Sequence, residues 1–197
     1  GEIYLSGFHL HQFHYAVSCG ADLYAQALKV DSFHSDISGS ADVNILSLSA
    51  KKITLQTSGS GDYSVGQIDA ETFSFVSSGA GDLHILDYVN ADIVKLAQSG
   101  NGDSRLNRVE VGEMEMNVSG SGDVEVAGSG FAERVSVNVA GGGNVNTLAM
   151  SVQHAELSCI GSGDIQVHAE KTLRASAVGS GSIQYQGNPD VLSKNQI

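Results

Sequence analysis

Seven carboxylates recur along this sequence at a nearly fixed interval: Asp22, Asp42, Asp62, Asp82, Asp103, Asp123 and Asp164. Most close a phrase of the form Ser-Gly-x-Gly-Asp, and the series continues through Asn144 and Ser182, where the carboxylate is replaced. The steps between the nine final residues are 20, 20, 20, 21, 20, 21, 20 and 18. Stacked in register, such acids stand about 4.8 Å apart and repel by about 0.9 kcal/mol per neighbouring pair at bulk-water screening. One remedy is hydrogen bonding, each carboxylate accepting from N–H groups of its own turn and from the phrase's serine, as in an Asx-turn. The other is calcium bridging adjacent coils, with Asp42, Asp62, Asp82, Asp103 and Asp123 as candidate ligands. The calcium-binding β-roll repeat GGxGxDxUx is a poor match, because here Gly directly precedes Asp and the period is twenty. Turn structure is therefore the expected role, and no cofactor is required.

Two further groups could carry chemistry. His9 and His11 alternate onto one strand face with Glu2 nearby, a spacing that suits a transition metal. Without a Cys or Asp at fixed spacing, polar cover for the first coil is the expected role. Four places before the final residue, serine gives way to Ala140, Ile160 and Val178. If these point outward they form an apolar strip, a candidate docking face; the alternative is an altered bend that tucks them inward. His34, His84, His154 and His168 read as surface residues. No Ser-His-Asp order, phosphate loop, Cys-x-x-Cys or Arg/Lys cluster is present, and the acids repeat uniformly where an active site would break symmetry. No catalytic residue is assigned. A pectinase-like carbohydrate-active enzyme is the alternative, and it requires a groove with clustered acids.

The elements that position these residues follow from the repeat. Counting the final residue of each phrase as zero, positions −9, −7, −5, +1 and +3 are predominantly apolar, as in Phe73, Phe75, Leu83 and Ile85. Alternation by two is the pattern of half-buried strands, and a fixed period of about twenty is that of a solenoid. The spacing predicts an all-β fold, a right-handed parallel β-helix of about nine coils, each with a strand, a glycine turn, a shorter strand and a variable return. An antiparallel meander would favour Asn-Gly hairpins instead. The glycines at −3 and −1 share the inward parity, where a corner leaves no room for a side chain, and they suit positive φ. Residues 1–197 read as one domain, with an atypical coil or cap over 1–30 and a polar tail over 186–197 that stops at Pro189. Open coil ends expose strand edges, which makes a homo-oligomer or a spacer role conceivable.

A net charge of −12 argues against nucleic acid or an anionic membrane as partner, leaving a glycan or a protein surface. No run approaches a membrane span. The leading Gly1 reads as the scar of a trimmed chain that an export signal would have preceded. Cys19 and Cys159 stand seven coils apart, about 34 Å, too far for a disulfide, and read as small core residues.

The tandem SG[SAN]GD phrases, with the closing run Gly179-Ser180-Gly181-Ser182-Ile183-Gln184-Tyr185-Gln186-Gly187-Asn188-Pro189, resemble the head GIN domain family. These are autotransporter-adhesin-like proteins formerly classed as a domain of unknown function. The resemblance covers most of residues 30–190. It implies a β-helical fold, a periplasmic, outer-membrane-associated or extracellular location and, by name, a role in adhesion. It carries over no catalytic or binding residues. Cys19-Gly20-Ala21 departs from the phrase in the first coil.

Overall fold

The structure is a computed structural model that describes residues 1–6 and 8–196, with the side chains of Phe8, His9 and Gln196 outside the description. The strands are β1 (Glu2–Leu5), β2 (Phe8–Val17), β3 (Asp22–Ile37), β4 (Val43–Thr57), β5 (Tyr63–Ser77), β6 (Leu83–Gln98) and β7 (Ser104–Val118). They continue as β8 (Val124–Val126), β9 (Gly130–Val139), β10 (Val145–Gly161), β11 (Ile165–Gly179), β12 (Ile183–Gln186) and β13 (Asp190–Gln196). Every pairing is parallel, and each coil hydrogen-bonds to the next in the same register, for example Phe33 to Ile53 to Phe73. The fold is a β-solenoid of about ten turns with no helix among the described residues.

The strand of one coil is longer than the alternation suggests. It runs unbroken for fifteen residues in β4 and β5, and it turns two corners on the way. The burial pattern shows how. In β4, Val43 and Ile45 are buried, Leu46 and Ser47 both face out, Leu48 and Ala50 are buried, Lys51 and Lys52 face out, and Ile53, Leu55 and Thr57 are buried. Two consecutive outward residues flip the parity, and at each flip the chain bends around the core. The variable return is thus a regular third face, built from Leu28, Leu48, Ile68, Val89, Val109, Met150 and their neighbours. Length changes are absorbed at these corners: the extra residue of the 82–103 step falls between Ile85 and Tyr88.

The third corner is the Ser-Gly-x-Gly-Asp phrase, where parity is kept and two positions must turn inward. A Cβ at Gly79 would lie 1.9 Å from the Gly59 carbonyl oxygen, and one at Gly59 would lie 1.9 Å from that of Gly39. The restriction comes from the coil beneath, whose carbonyl occupies the space, more than from the bend itself. Among the described residues positive φ is confined to three glycines, Gly161, Gly179 and Gly187. Buried polar side chains at −5 pin this corner from inside: Thr57 and Ser77 hydroxyls and the Cys159 thiol donate to the carbonyls of Gly61, Gly81 and Gly163.

Two terminal expectations are revised. Glu2 pairs in register with Asp22, so Gly1-Glu2 occupy the last two places of a phrase, one coil before the first recognisable one. The segment expected to be a tail holds β13, which pairs with β11 from Thr172 and Asp190 onward, so Pro189 precedes a strand and does not end the sheet.

Candidate functional site

The carboxylate column is a ladder that runs between coils. The backbone N–H of each final residue donates to Oδ1 of its counterpart one coil earlier: Asp42 to Asp22 at 3.0 Å, Asp62 to Asp42 at 3.0 Å and Asp82 to Asp62 at 2.8 Å. It continues with Asp103 to Asp82 at 2.7 Å, Asp123 to Asp103 at 2.8 Å and Asn144 to Asp123 at 2.8 Å. The last rungs are Asp164 to the Asn144 amide oxygen at 2.9 Å and Ser182 to Asp164 at 2.8 Å. The expected bonds within each turn are replaced by bonds across coils, because stacking aims the next coil's N–H at the carboxylate and the turn's own N–H groups are directed at carbonyls below. Asn144 keeps the acceptor oxygen and adds an Nδ2 donation to Asp123 Oδ1 at 3.0 Å, so the ladder passes through it unbroken. Charge-assisted bonds of this kind offset the repulsion along the column. Among the described residues no three His, Cys, Asp or Glu side chains come together in a metal-holding group.

Ala140, Ile160 and Val178 are all exposed, Ile160 at 57% and Val178 at 41%. Ile160 and Val178 are paired in register. Their bend is altered, since the following Gly161 and Gly179 adopt φ of 135° and 116°, yet the side chains remain outside. His11 Nδ1 lies 2.8 Å from Asp31, which also takes Lys51 at 3.3 Å. The hydrogen bonds from His11 and Lys51 hold the Asp31 carboxyl below the usual range. The imidazole of His9 lies outside the described residues. Cys159 is buried as expected, whereas Cys19 is exposed.

A pronounced concavity among the described residues involves none of these side chains. A groove of about 560 Å³ crosses the outer surface of the first five coils, lined by Tyr4, Tyr24, Gln26, Asn44, Leu46, Ser64 and Leu86 with Gly66 at its floor. Tyr24, Asn44 and Ser64 are register neighbours on consecutive coils. Tyr4 and Tyr24 stack with centroids 5.2 Å apart and planes 17° from parallel. Gly66 makes the notch: it is buried between Leu46, 65% exposed, and Leu86, 57% exposed, and a Cβ there would meet the Leu46 carbonyl at 2.3 Å. Among the described residues no carboxyl, imidazole, ammonium, guanidinium or thiol lines the groove, and the Tyr4 hydroxyl donates to the Glu2 carboxylate at its edge at 2.9 Å. Beyond Leu86 the surface changes to a smaller hollow with His84, Arg105 and Asn107. Partial burial, followed by the charges of Asp22, Glu2 and Asp42, pushes the Tyr24 phenol above its ordinary value, so it is a protonated donor at neutral pH.

The alternation pattern did not single these residues out. A signal was present: Ile45-Leu46 and Ile85-Leu86 are adjacent apolar pairs, and the second member of each must face outward if the first faces in.

Another hollow, of about 190 Å³, is lined by Glu113, Arg134, Glu156 and Arg174, with His154 among them. Glu113 pairs in register with Arg134, and Glu156 with Arg174, so opposite charges face each other on adjacent coils. His154 Nδ1 lies 2.8 Å from the Thr172 hydroxyl.

No curated protein and no solved structure matches the chain. Residues 45–127 and 74–189 do match a known family, and both segments lie within the stack of Ser-Gly-x-Gly-Asp corners. The chain belongs to the family described as "Putative auto-transporter adhesin, head GIN domain".

Proposed function

We propose that this chain is a non-enzymatic binding rod of the cell envelope or surface, an adhesin-like module that engages its partner through outward columns of a rigid solenoid. The observation that carries the reading is the uncharged groove on coils one to five. It joins apolar and aromatic walls with a few amide and hydroxyl groups, the usual make-up of a recognition site, and its described lining presents no carboxyl, imidazole, ammonium or thiol to a bound molecule. The family description supports an adhesin-like head and a surface location. From the second coil to the fifth the backbone beneath the groove is paired to a coil on either side, so the lining residues are carried on a fixed frame.

The test is retention of the labelled protein on immobilised polysaccharides and matrix proteins, run beside an assay for released reducing ends. Saturable retention without turnover is expected. Release of reducing ends, or no retention on any surface, would overturn the proposal.

A further inference from the structure

We infer that the groove from Tyr4 to Leu86 is a subsite for a neutral glycan lying along the solenoid axis; this rests on the binding-rod reading and specifies its ligand. Four features of the site select that chemistry. The described lining residues carry no charge, in a chain of net charge −12. Its polar groups are Gln26 and Asn44 amides and Ser6 and Ser64 hydroxyls, each both donor and acceptor, which matches sugar hydroxyls that are also both. Its apolar surface consists of tyrosine and leucine side chains, against which the C–H face of a pyranose packs. The span from Tyr4 to Leu86 is four coil steps, about 19 Å at strand spacing, enough for several rings in line.

Charge and backbone geometry exclude the competing occupants. The column Asp22, Asp42 and Asp62 stands two residues from Tyr24, Asn44 and Ser64, about 7 Å along each strand, and repels uronic, sialic or sulfated sugars. The same column and Glu2, which accepts from the Tyr4 hydroxyl at 2.9 Å, would draw a cationic peptide to the flank of the groove, but the described lining residues include no carboxylate to seat its ammonium groups. An extended peptide cannot add as a strand, because the groove lies on a sheet face whose N–H and C=O groups are already used between coils. Gly66 sets the depth: the missing side chain between Leu46 and Leu86 leaves room for one substituent to enter.

The test titrates the protein with short linear neutral oligosaccharides (gluco-, manno-, galacto- and xylo-series), with the corresponding uronic-acid oligomers and with an oligolysine peptide. Methyl NMR of Leu46 and Leu86 reports the location. Neutral sugars should shift both leucines, and Tyr24→Ala and Leu86→Glu should each weaken binding by about tenfold or more. Ile160→Glu, on the distant apolar strip, should leave it unchanged. The exposed positions of Leu86 and Ile160 make these variants foldable, which a melting curve checks. Absence of neutral-sugar binding, preference for the uronic or lysine probe, or binding indifferent to Tyr24→Ala and Leu86→Glu overturns the inference. Retention on a protein surface without neutral-sugar binding defeats the glycan subsite and leaves the binding rod standing. Reducing-end release defeats the binding rod itself.

Discussion

Three consecutive glycines, Gly141, Gly142 and Gly143, allow the stacking argument to be tested within one turn. A Cβ at Gly143 would lie 2.2 Å from the Gly122 carbonyl oxygen and 2.9 Å from Val118 Cγ1, whereas one at Gly142 would find nothing nearer than Ser162 Oγ at 3.8 Å. Relieving the first overlap requires about 1 Å of separation between the two coils to restore ordinary contact. Three hydrogen bonds cross that gap beside the substitution: Gly143 N–H to Gly120 O at 3.2 Å, Asn144 N–H to Asp123 Oδ1 at 2.8 Å and Val124 N–H to Asn144 O at 2.8 Å. Stretched by that amount they leave bonding range, and at about 1 kcal/mol net each the loss is about 3 kcal/mol. For a chain of this size the melting midpoint of Gly143→Ala should fall by about 6–12 °C. Gly142→Ala meets no obstacle and lowers the entropy of the unfolded chain, so it should be neutral or raise stability by up to about 1 kcal/mol. Urea and thermal melts of the two variants decide the matter. A Gly143→Ala protein within 1 kcal/mol of the parent, or equal damage from both, would refute the claim that the coil below imposes the glycine.

Three further predictions concern charged groups. Asp82→Ala removes the Oδ1 that accepts from Asp103 N–H and should cost about 1–2 kcal/mol in a urea melt, while Asp82→Asn keeps the acceptor, as Asn144 does, and should cost less than half as much. Calcium and a chelator should leave the melting midpoint unchanged beyond ordinary salt screening, since Oδ1 of each rung already accepts a backbone N–H; a large calcium-specific rise would instead make Asp42, Asp62, Asp82, Asp103 and Asp123 a cation ladder. Glu115 is held below the usual carboxylate range by the Asn117 amide and then by Lys95 at 3.2 Å. A depressed folded-state pKa contributes stability above the unfolded value that is lost as pH falls through the folded one, so Glu115→Gln should flatten part of the acid limb of a stability–pH curve below about pH 4.5.

What could be read from the sequence was whatever the stack imposes on every coil alike. The corner phrase is conspicuous because a carbonyl beneath each inward position forbids a side chain, as the 1.9 Å approach at Gly59 and again at Gly79 shows. The third face was hidden although Leu48, Ile68 and Val89 are buried, because two parity flips per coil place its apolar residues on even offsets and break the alternation that marks the other faces. The Asx-turn expectation failed for a related reason. A five-residue phrase read alone suggests bonds inside itself, whereas the N–H groups that reach Asp62 and Asp82 lie twenty and twenty-one residues further on. The tail was misjudged from composition: Asp190 to Gln196 is polar, but the exposed edge of β11 supplies the pairing that makes it a strand.

The groove was the least legible feature, and its origin explains why functional surfaces on such rods are. Its walls are Leu46 and Leu86 and its floor is Gly66, three residues in one outward column that meet only because the period is constant up to that point. No local motif specifies it. The outward columns bear no stacking constraint comparable to that on the corner, so their side chains vary freely from coil to coil, and a site arises wherever neighbouring coils place compatible residues side by side. The corner still limits what such a site can hold. Because the ladder needs an oxygen acceptor at every turn, a line of carboxylates runs beside the groove, and anionic ligands are disfavoured there whatever the lining residues are. Replacing Asp22, Asp42 and Asp62 together with Asn keeps the rungs and removes the charge. The triple variant should therefore lose less than half the stability that the corresponding alanine variant loses and keep its neutral-sugar affinity while gaining affinity for uronic-acid oligomers, most strongly at low ionic strength. If the uronic-acid affinity stays unchanged, the column does not set the selectivity of the groove.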